Sequence, residues 1–161
     1  MDIYNAYVNA DLEELIYMRQ PLGYIQQSDQ HVLKLKKAIY SLKQSGQAWY
    51  KCLSAAMNNI AFAKSKSDEA VFYRHSRKGF VIIAMAIDNL TITAINDEIV
   101  YKIKAYLRKI FKMKDLGELH WLLNLKIEQD RTSKSISFSQ EAYIDKILSQ
   151  FNLQGFVKNR I

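Results

Sequence analysis

The segment that most constrains the fold is an apolar run followed by two polar residues and then by an alternating run. Residues 80 to 87 carry only apolar side chains, and residues 90 to 94 alternate between apolar side chains and threonine. Asp88 and Asn89 lie between the two runs. Each run is typical of a β-strand, and Asp and Asn are favoured in tight turns. The sequence therefore predicts a hairpin with Asp88 and Asn89 as its turn residues, and turn chemistry alone would explain both of them.

Composition indicates a folded protein with a basic surface. Of the 161 residues 49% are hydrophobic, which argues against disorder, and the formal net charge of +7 suits a polyanionic partner such as nucleic acid. Cys52 is the only cysteine, and His31, His75 and His120 are too dispersed in sequence for a metal site. No apolar run is long enough to cross a bilayer, and the acidic N-terminal segment does not resemble a signal peptide. We therefore expect an intracellular protein of the cytoplasm or nucleus, neither secreted nor attached to a membrane.

Periodicity along the rest of the chain predicts an α+β architecture of antiparallel hairpins and about three main helices. Helices are expected from Ser45 or Gly46 to Ile60, after a cap at Asn96, and after a cap at Ser139. Further strands are expected within residues 31–36, 71–73, 119–127 and 135–138. The last helix is expected to turn its apolar positions toward a core, namely Ile144, Ile147, Leu148 and Phe151.

Several segments, taken in order, carry a more specific signal than any single motif. They run from Asp2 to Tyr24, Leu35 to Lys51, Ala86 to Leu90, Phe111 to Glu118 and Ile136 to Leu148. In this order and spacing the chain resembles the reverse transcriptase of copia-type long-terminal-repeat retrotransposons over nearly its whole length. The sequence Ala-Ile-Asp-Asn-Leu, residues 86–90, takes the position of that family's Tyr-Val-Asp-Asp box.

The resemblance implies both a fold and a division of the chain. Residues 1–161 would be one domain fragment with a polymerase palm-like antiparallel sheet and packed helices, incomplete because it has no fingers. The palm would cover residues 1–94, the end of the palm and the start of the thumb residues 95–153, and a divergent tail residues 154–161. Asp2 would then lie on a frayed segment that lacks its leading strand.

The resemblance also implies a site for RNA-directed DNA synthesis on an RNA or DNA template-primer. The chemistry is phosphoryl transfer assisted by two Mg²⁺ ions. The family's three catalytic aspartates correspond to Asp2, Asp88 and Asn89, of which Asp2 and Asp88 would bind metal. The residues implied to contact nucleic acid in the template-contacting block are Lys43, Gln44 and Trp49.

Departures from the family pattern predict that this chain is catalytically inactive. Asn89 removes one negative charge from a site that gathers two divalent cations, and Ala86 lacks the aromatic ring of the family's box. Two other functions stay open. One is sequence-independent binding of nucleic acid through the basic helix that carries Lys102, Lys104 and Arg108. The other is self-association, or another protein interaction, through exposed apolar palm surface.

Overall fold

A computed structural model of the chain describes residues 1–26, 28, 30–77 and 79–153. These residues form two compact units, the first from Met1 to Asp115 and the second beginning at Leu116. Both units contain helix and antiparallel strands, so the α+β prediction is confirmed. The predicted divergent tail, residues 154–161, lies outside the described residues.

The helices are α1, Ser45–Asn58; α2, Asp97–Ile110; and α3, Glu141–Gln150. The strands of the first unit are β1, Asp2–Ile3; β2, Asp11–Arg19; β3, Val32–Lys37; β4, Ala63–Lys64; β5, Val71–Ser76; β6, Gly79–Ala86; β7, Asn89–Ala94; and β8, Met113–Lys114. The strands of the second unit are β9, Trp121–Leu122; β10, Leu125–Asp130; and β11, Ser135–Ser139. A 3₁₀ turn over Ala6–Asn9 lies between β1 and β2.

The first unit is organised around a six-stranded antiparallel sheet. Its strand order is β4-β5-β6-β7-β1-β8, so the short strand β1 is inserted between β7 and β8. The strands β2 and β3 pair with each other in a separate two-stranded ribbon. This ribbon carries exposed apolar side chains, including Leu15 and Tyr17. In the second unit the sheet order is β11-β10-β9.

One face of the six-stranded sheet packs with α1 and α2 to form the core. Strand alternation turns every second side chain toward this core, and burying each large side chain contributes roughly 1.5–3 kcal/mol. One face of α1 is buried, and Asn96 caps α2 as predicted by accepting a hydrogen bond from the Ile99 amide. The largest side chains in this core include Trp49, Leu53, Met57, Phe72, Ile3, Ile83, Leu90 and Leu107.

The last helix differs from its prediction in two respects. No residue of α3 is buried: Ile147 and Leu148 are half-buried, and Ile144 and Phe151, the residue after the helix, are exposed, so the prediction that this face is buried in a core is wrong. The cap position is Gln140, whose side chain makes no cap bond, while the Ser139 hydroxyl still accepts a hydrogen bond from the Glu141 amide over 3.2 Å. Ser139 is still paired with Lys126 as the last residue of β11, so the chain stays extended one residue further than predicted.

The strand predicted over residues 119–127 is interrupted. A two-residue turn at Leu123 and Asn124 separates β9 from β10, which pair antiparallel. Both turn residues have positive φ, 49° and 66°. This is the φ pattern of a type I′ hairpin turn, in which Asn is favoured. The apolar pattern concealed the turn because Leu122 and Leu123 are both hydrophobic.

Candidate active site

Asp2 lies inside the six-stranded sheet, so the expectation of a frayed segment is wrong. The Ile3 amide donates to the Asp88 carbonyl over 2.8 Å, and the Leu90 amide donates to the Met1 carbonyl over 2.8 Å. These two bonds join β1 to β7, and β8 pairs with the other edge of β1. The strand that holds Asp2 is therefore anchored on both sides.

The register of β1 places three polar side chains in a row. Asp2 is the cross-strand partner of Asn89 on one side and of Lys114 on the other. The two backbone bonds are made by the neighbours of Asp2 and Asn89, so Asp2 and Asn89 themselves form a non-hydrogen-bonded pair of the ladder. In such pairs the Cα atoms are about 4.5 Å apart and the side chains are closest. Ile3 and Leu90 point to the opposite, core face of the sheet and are buried. The row Asn89, Asp2 and Lys114 therefore lies on the face away from the core.

The predicted hairpin is present, with its turn shifted by one residue. Ala86 pairs with Asn89, so the turn residues are Ile87 and Asp88, and Asn89 is the first residue of β7. The prediction that Asn89 lies in the turn is wrong. Ile87 has a φ of 57°, a left-handed conformation that a β-branched residue rarely adopts and that costs about 1–3 kcal/mol.

The oxygen atoms gathered at the turn are chemically suited to a hard cation but carry little charge. Asp2 and Asp88 supply carboxylates, and Asn89 supplies an amide whose Nδ2 donates to Asp88 Oδ1 over 3.0 Å. Carboxylate and amide oxygens are ligand types that Mg²⁺ accepts. Within the described ranges no group of three or more His, Cys, Asp or Glu side chains could hold a metal ion. Two carboxylates and one amide, with the cationic Lys114 as the other cross-strand neighbour of Asp2, are short of negative charge for two Mg²⁺ ions.

Two tyrosines stand beside these carboxylates. The rings of Tyr7 and Tyr40 are in edge contact, with centroids 4.6 Å apart. Partial burial and then the charges of Asp88, Tyr7 and Asp2 raise the pKa of the Tyr40 phenol. Tyr40 is therefore close enough to Asp88 and Asp2 to sense their charge, and it adds an aromatic wall to the site.

The residues predicted to contact template differ from one another in their surroundings. Trp49 is 2% exposed, and its Nε1 donates to the Ile87 carbonyl over 2.7 Å, so this side chain belongs to the core and not to a nucleic-acid surface. Gln44 is half-buried, and its Nε2 donates to Glu14 Oε2 over 2.9 Å. Lys43 is exposed and has no carboxylate partner among the described residues. Of the three, Lys43 has the surroundings of a surface contact.

The cations predicted on α2 are already paired with carboxylates. Lys102 forms an ion pair with Glu98 one turn earlier. Lys104 and Arg108 both contact Asp115, at 2.8 Å and 3.1 Å, and the Lys104 side chain is only 19% exposed. Contact of these residues with phosphate would require the ion pairs to open.

The residues that sequence reasoning missed are Tyr7, Tyr40 and Lys114. Each is brought to the site by a tertiary contact that no local pattern reports, since Lys114 reaches Asp2 only through the β1–β8 pairing. The sequence could have pointed to Tyr7 and Tyr40, because both lie within segments that carry the family resemblance.

Comparisons with known proteins identify the family of the chain. The family model described as "Reverse transcriptase (RNA-dependent DNA polymerase)" matches residues 1–161. The chain belongs to the reverse transcriptase family. The resemblance to retrotransposon reverse transcriptases is thereby confirmed.

Individual relatives of this reverse transcriptase domain come from transposons. The chain is 37% identical over 157 residues to the retrovirus-related Pol polyprotein from transposon TNT 1-94 of Nicotiana tabacum, covering 96% of this chain and 12% of that protein. It is 33% identical over 154 residues to the Pol polyprotein from transposon RE1 of Arabidopsis thaliana, covering 95% and 10%. It is 29% identical over 157 residues to a putative transposon Ty5-1 protein of Saccharomyces cerevisiae, covering 97% and 51%. No solved structure matches the chain significantly.

The helices offer no membrane span. None of those in the described part of the chain is long and apolar enough to cross a bilayer.

Proposed function

We propose that this chain forms the palm of a copia-type reverse transcriptase, that it binds an RNA or DNA template-primer, and that it has lost RNA-directed DNA synthesis. The single observation that carries the proposal is the pairing of Asp2 with Asn89 beside Asp88. It supports a family site whose backbone is retained and whose third carboxylate has become an amide. The family match and the transposon relatives support the polymerase class.

The proposed loss of synthesis follows from charge. Asp2 and Asp88 would hold Mg²⁺, which supplies charge stabilisation for attack of a primer hydroxyl on a nucleotide phosphate when it is bound. Asn89 offers an oxygen without a charge, and its Nδ2 already occupies Asp88 Oδ1. Lys114, the cross-strand partner of Asp2 on β8, adds a positive charge that further reduces the attraction for cations. The negative charge of the site is too small to neutralise a second divalent cation.

Primer extension and metal affinity test this proposal together. The purified chain should give no template-dependent extension of a DNA primer with Mg²⁺ or Mn²⁺. Asn89→Asp should raise the affinity for Mg²⁺ roughly tenfold or more, because it returns a carboxylate that the sheet already holds opposite Asp2. Asn124→Asp, the same substitution at the Leu123–Asn124 turn of the second unit, is the matched control and should leave the affinity unchanged.

Extension by the unmodified chain that Asp88→Asn abolishes would overturn the proposed loss of activity. An affinity for Mg²⁺ that rises equally in the Asn89→Asp and Asn124→Asp variants would show that general charge, and not this site, binds the ion.

Sequence-independent binding of nucleic acid is a second candidate function, favoured by cations that the structure leaves on the surface. Lys43 and Lys109 are exposed, and in the described ranges neither forms an ion pair. The double variant Lys43→Glu with Lys109→Glu should weaken binding to single-stranded RNA and reduce the slope of log affinity against log salt by roughly 1 to 2, because fewer counterions are released.

Lys146→Glu, in α3 of the second unit, is the control for this double variant. Filter binding across a salt series provides the measurement, and an unchanged slope in the double variant would exclude these lysines as phosphate contacts.

A further inference from the structure

The indole of Trp49 makes a specific contact with the turn that carries Asp88. Its Nε1 donates to the Ile87 carbonyl over 2.7 Å, and the ring is 2% exposed. The donor side of this bond is enclosed in the core, where hydrogen bonds are electrostatically stronger than in water. Trp49 therefore connects the core of the first unit to the hairpin turn.

The bond from Trp49 fixes the peptide group that precedes Asp88. The Ile87 carbonyl and the Asp88 amide belong to one planar peptide group, so fixing that carbonyl fixes the plane that enters Asp88. On the other side of Asp88, its own carbonyl accepts the Ile3 amide over 2.8 Å. Both peptide planes that flank the Asp88 Cα are thus anchored, one by Trp49 and one by β1. Two fixed planes define the direction in which the Asp88 side chain leaves the backbone.

The anchor is itself held in place. Trp49 lies on the buried face of α1, and its ring meets Phe111 edge to face with centroids 5.3 Å apart. Ile87 by contrast is 55% exposed and has a φ of 57°, so its own side chain does not hold it in this conformation. An external contact is needed to keep a β-branched residue left-handed, and the Trp49 bond provides one.

We propose that Trp49 is the positioning residue of the active site, holding Asp88 in its place beside the Asp2–Asn89 pair through the Ile87 carbonyl. The metal-binding consequence of this proposal rests on the proposed function. Groups that orient a metal ligand without touching the metal commonly change affinity 10- to 100-fold when they are lost.

A single-atom change tests the bond without removing the ring. Trp49 is replaced by β-(3-benzothienyl)alanine, in which sulfur takes the place of the N–H while shape and burial are kept. The same replacement at Trp121, which is 54% exposed in the second unit, is the control. The first measurement is amide hydrogen exchange at Ile3 and Leu90, whose N–H groups bond across the β1–β7 junction. The second is the dissociation constant for Mn²⁺.

The replacement at Trp49 should speed exchange at Ile3 at least tenfold and weaken Mn²⁺ binding roughly tenfold, with no change for the Trp121 analogue. Adding Ile87→Asn to the Trp49 analogue should restore both values, because Asn adopts positive φ readily and the turn then holds without the bond. If the amide of Ile3 exchanges as slowly in the Trp49 analogue as in the unmodified chain, the positioning role of Trp49 is wrong.

The two readouts separate the two proposals. If the unmodified chain binds no Mn²⁺, the proposed metal site fails, and the exchange rate at Ile3 still decides the role of Trp49. If Mn²⁺ binds the Trp49 analogue as tightly as the unmodified chain, with unchanged exchange, the metal site stands and the positioning role is rejected.

Discussion

Two of the hairpin turns in this reverse transcriptase domain, one in each unit, differ in what stabilises them. Each is a two-residue loop, closed by Ala86 and Asn89 in the first unit and by Leu122 and Leu125 in the second. In the second unit both turn residues have positive φ, which matches the twist of the strands, and one of them is Asn. In the first unit only the first turn residue has a positive φ, and that residue is Ile87.

The difference shows where each turn obtains its stability. Local preference explains the positive φ of Asn124 but not that of Leu123, which is 75% exposed and less strained there than a β-branched residue would be. The turn at Ile87 and Asp88 goes against local preference and is held by hydrogen bonds from Trp49 and from Ile3. Strained backbone supported by its surroundings is a common feature of functional sites. The strain is located at the residue that precedes Asp88.

Removing each tryptophan should give the largest difference in stability between the two turns. Trp49→Ala should lower the free energy of unfolding by about 3–5 kcal/mol, because it opens a core cavity and also removes the donor to Ile87. Trp121→Ala, on exposed β9, should change it by less than about 0.5 kcal/mol. Urea unfolding followed by circular dichroism provides both values. Equal losses would mean that the two turns depend on the core to the same extent.

Substituting the strained residue, Ile87, should give a smaller change in stability. Ile87→Asn should raise the free energy of unfolding by about 0.5–1 kcal/mol, because Asn tolerates positive φ and the exposed isoleucine side chain contributes little burial. Leu123→Asn should give a smaller gain, since leucine is not β-branched. The same urea measurement compares the two. A loss of stability on Ile87→Asn would show that the isoleucine side chain makes a contact that outweighs its strain.

Sequence patterns were sufficient for the existence of the first hairpin but not for its exact turn. Periodicity treats residues 80–87 as one apolar strand, and the β-branched Ile87 argues against a positive φ. The bond from Trp49 outweighs that local preference. Because Trp49 lies on a different element, far away in sequence, no pattern near residue 88 reveals it.

Helix prediction shows the same limit. The periodic apolar residues of α2 and α3 predict both helices, and Asn96 gives the correct start of α2. Ile103 and Leu107 of α2 are buried, whereas α3 has no buried residue. Periodicity identifies the face of a helix that is apolar, but it does not identify what covers that face.

We propose that Asp2 and Asp88 form a cation site beside the Ile87–Asp88 turn and that the Leu123–Asn124 turn forms none. Titration with paramagnetic Mn²⁺, followed through the amide NMR signals, distinguishes the two turns. Low concentrations of Mn²⁺ should broaden the signals of Ile3, Asp88 and Leu90, leave those of Leu123 and Asn124 sharp, and have no local effect in the Asp88→Asn variant. Broadening first at Leu123 and Asn124, or broadening near residue 88 that survives Asp88→Asn, would contradict it.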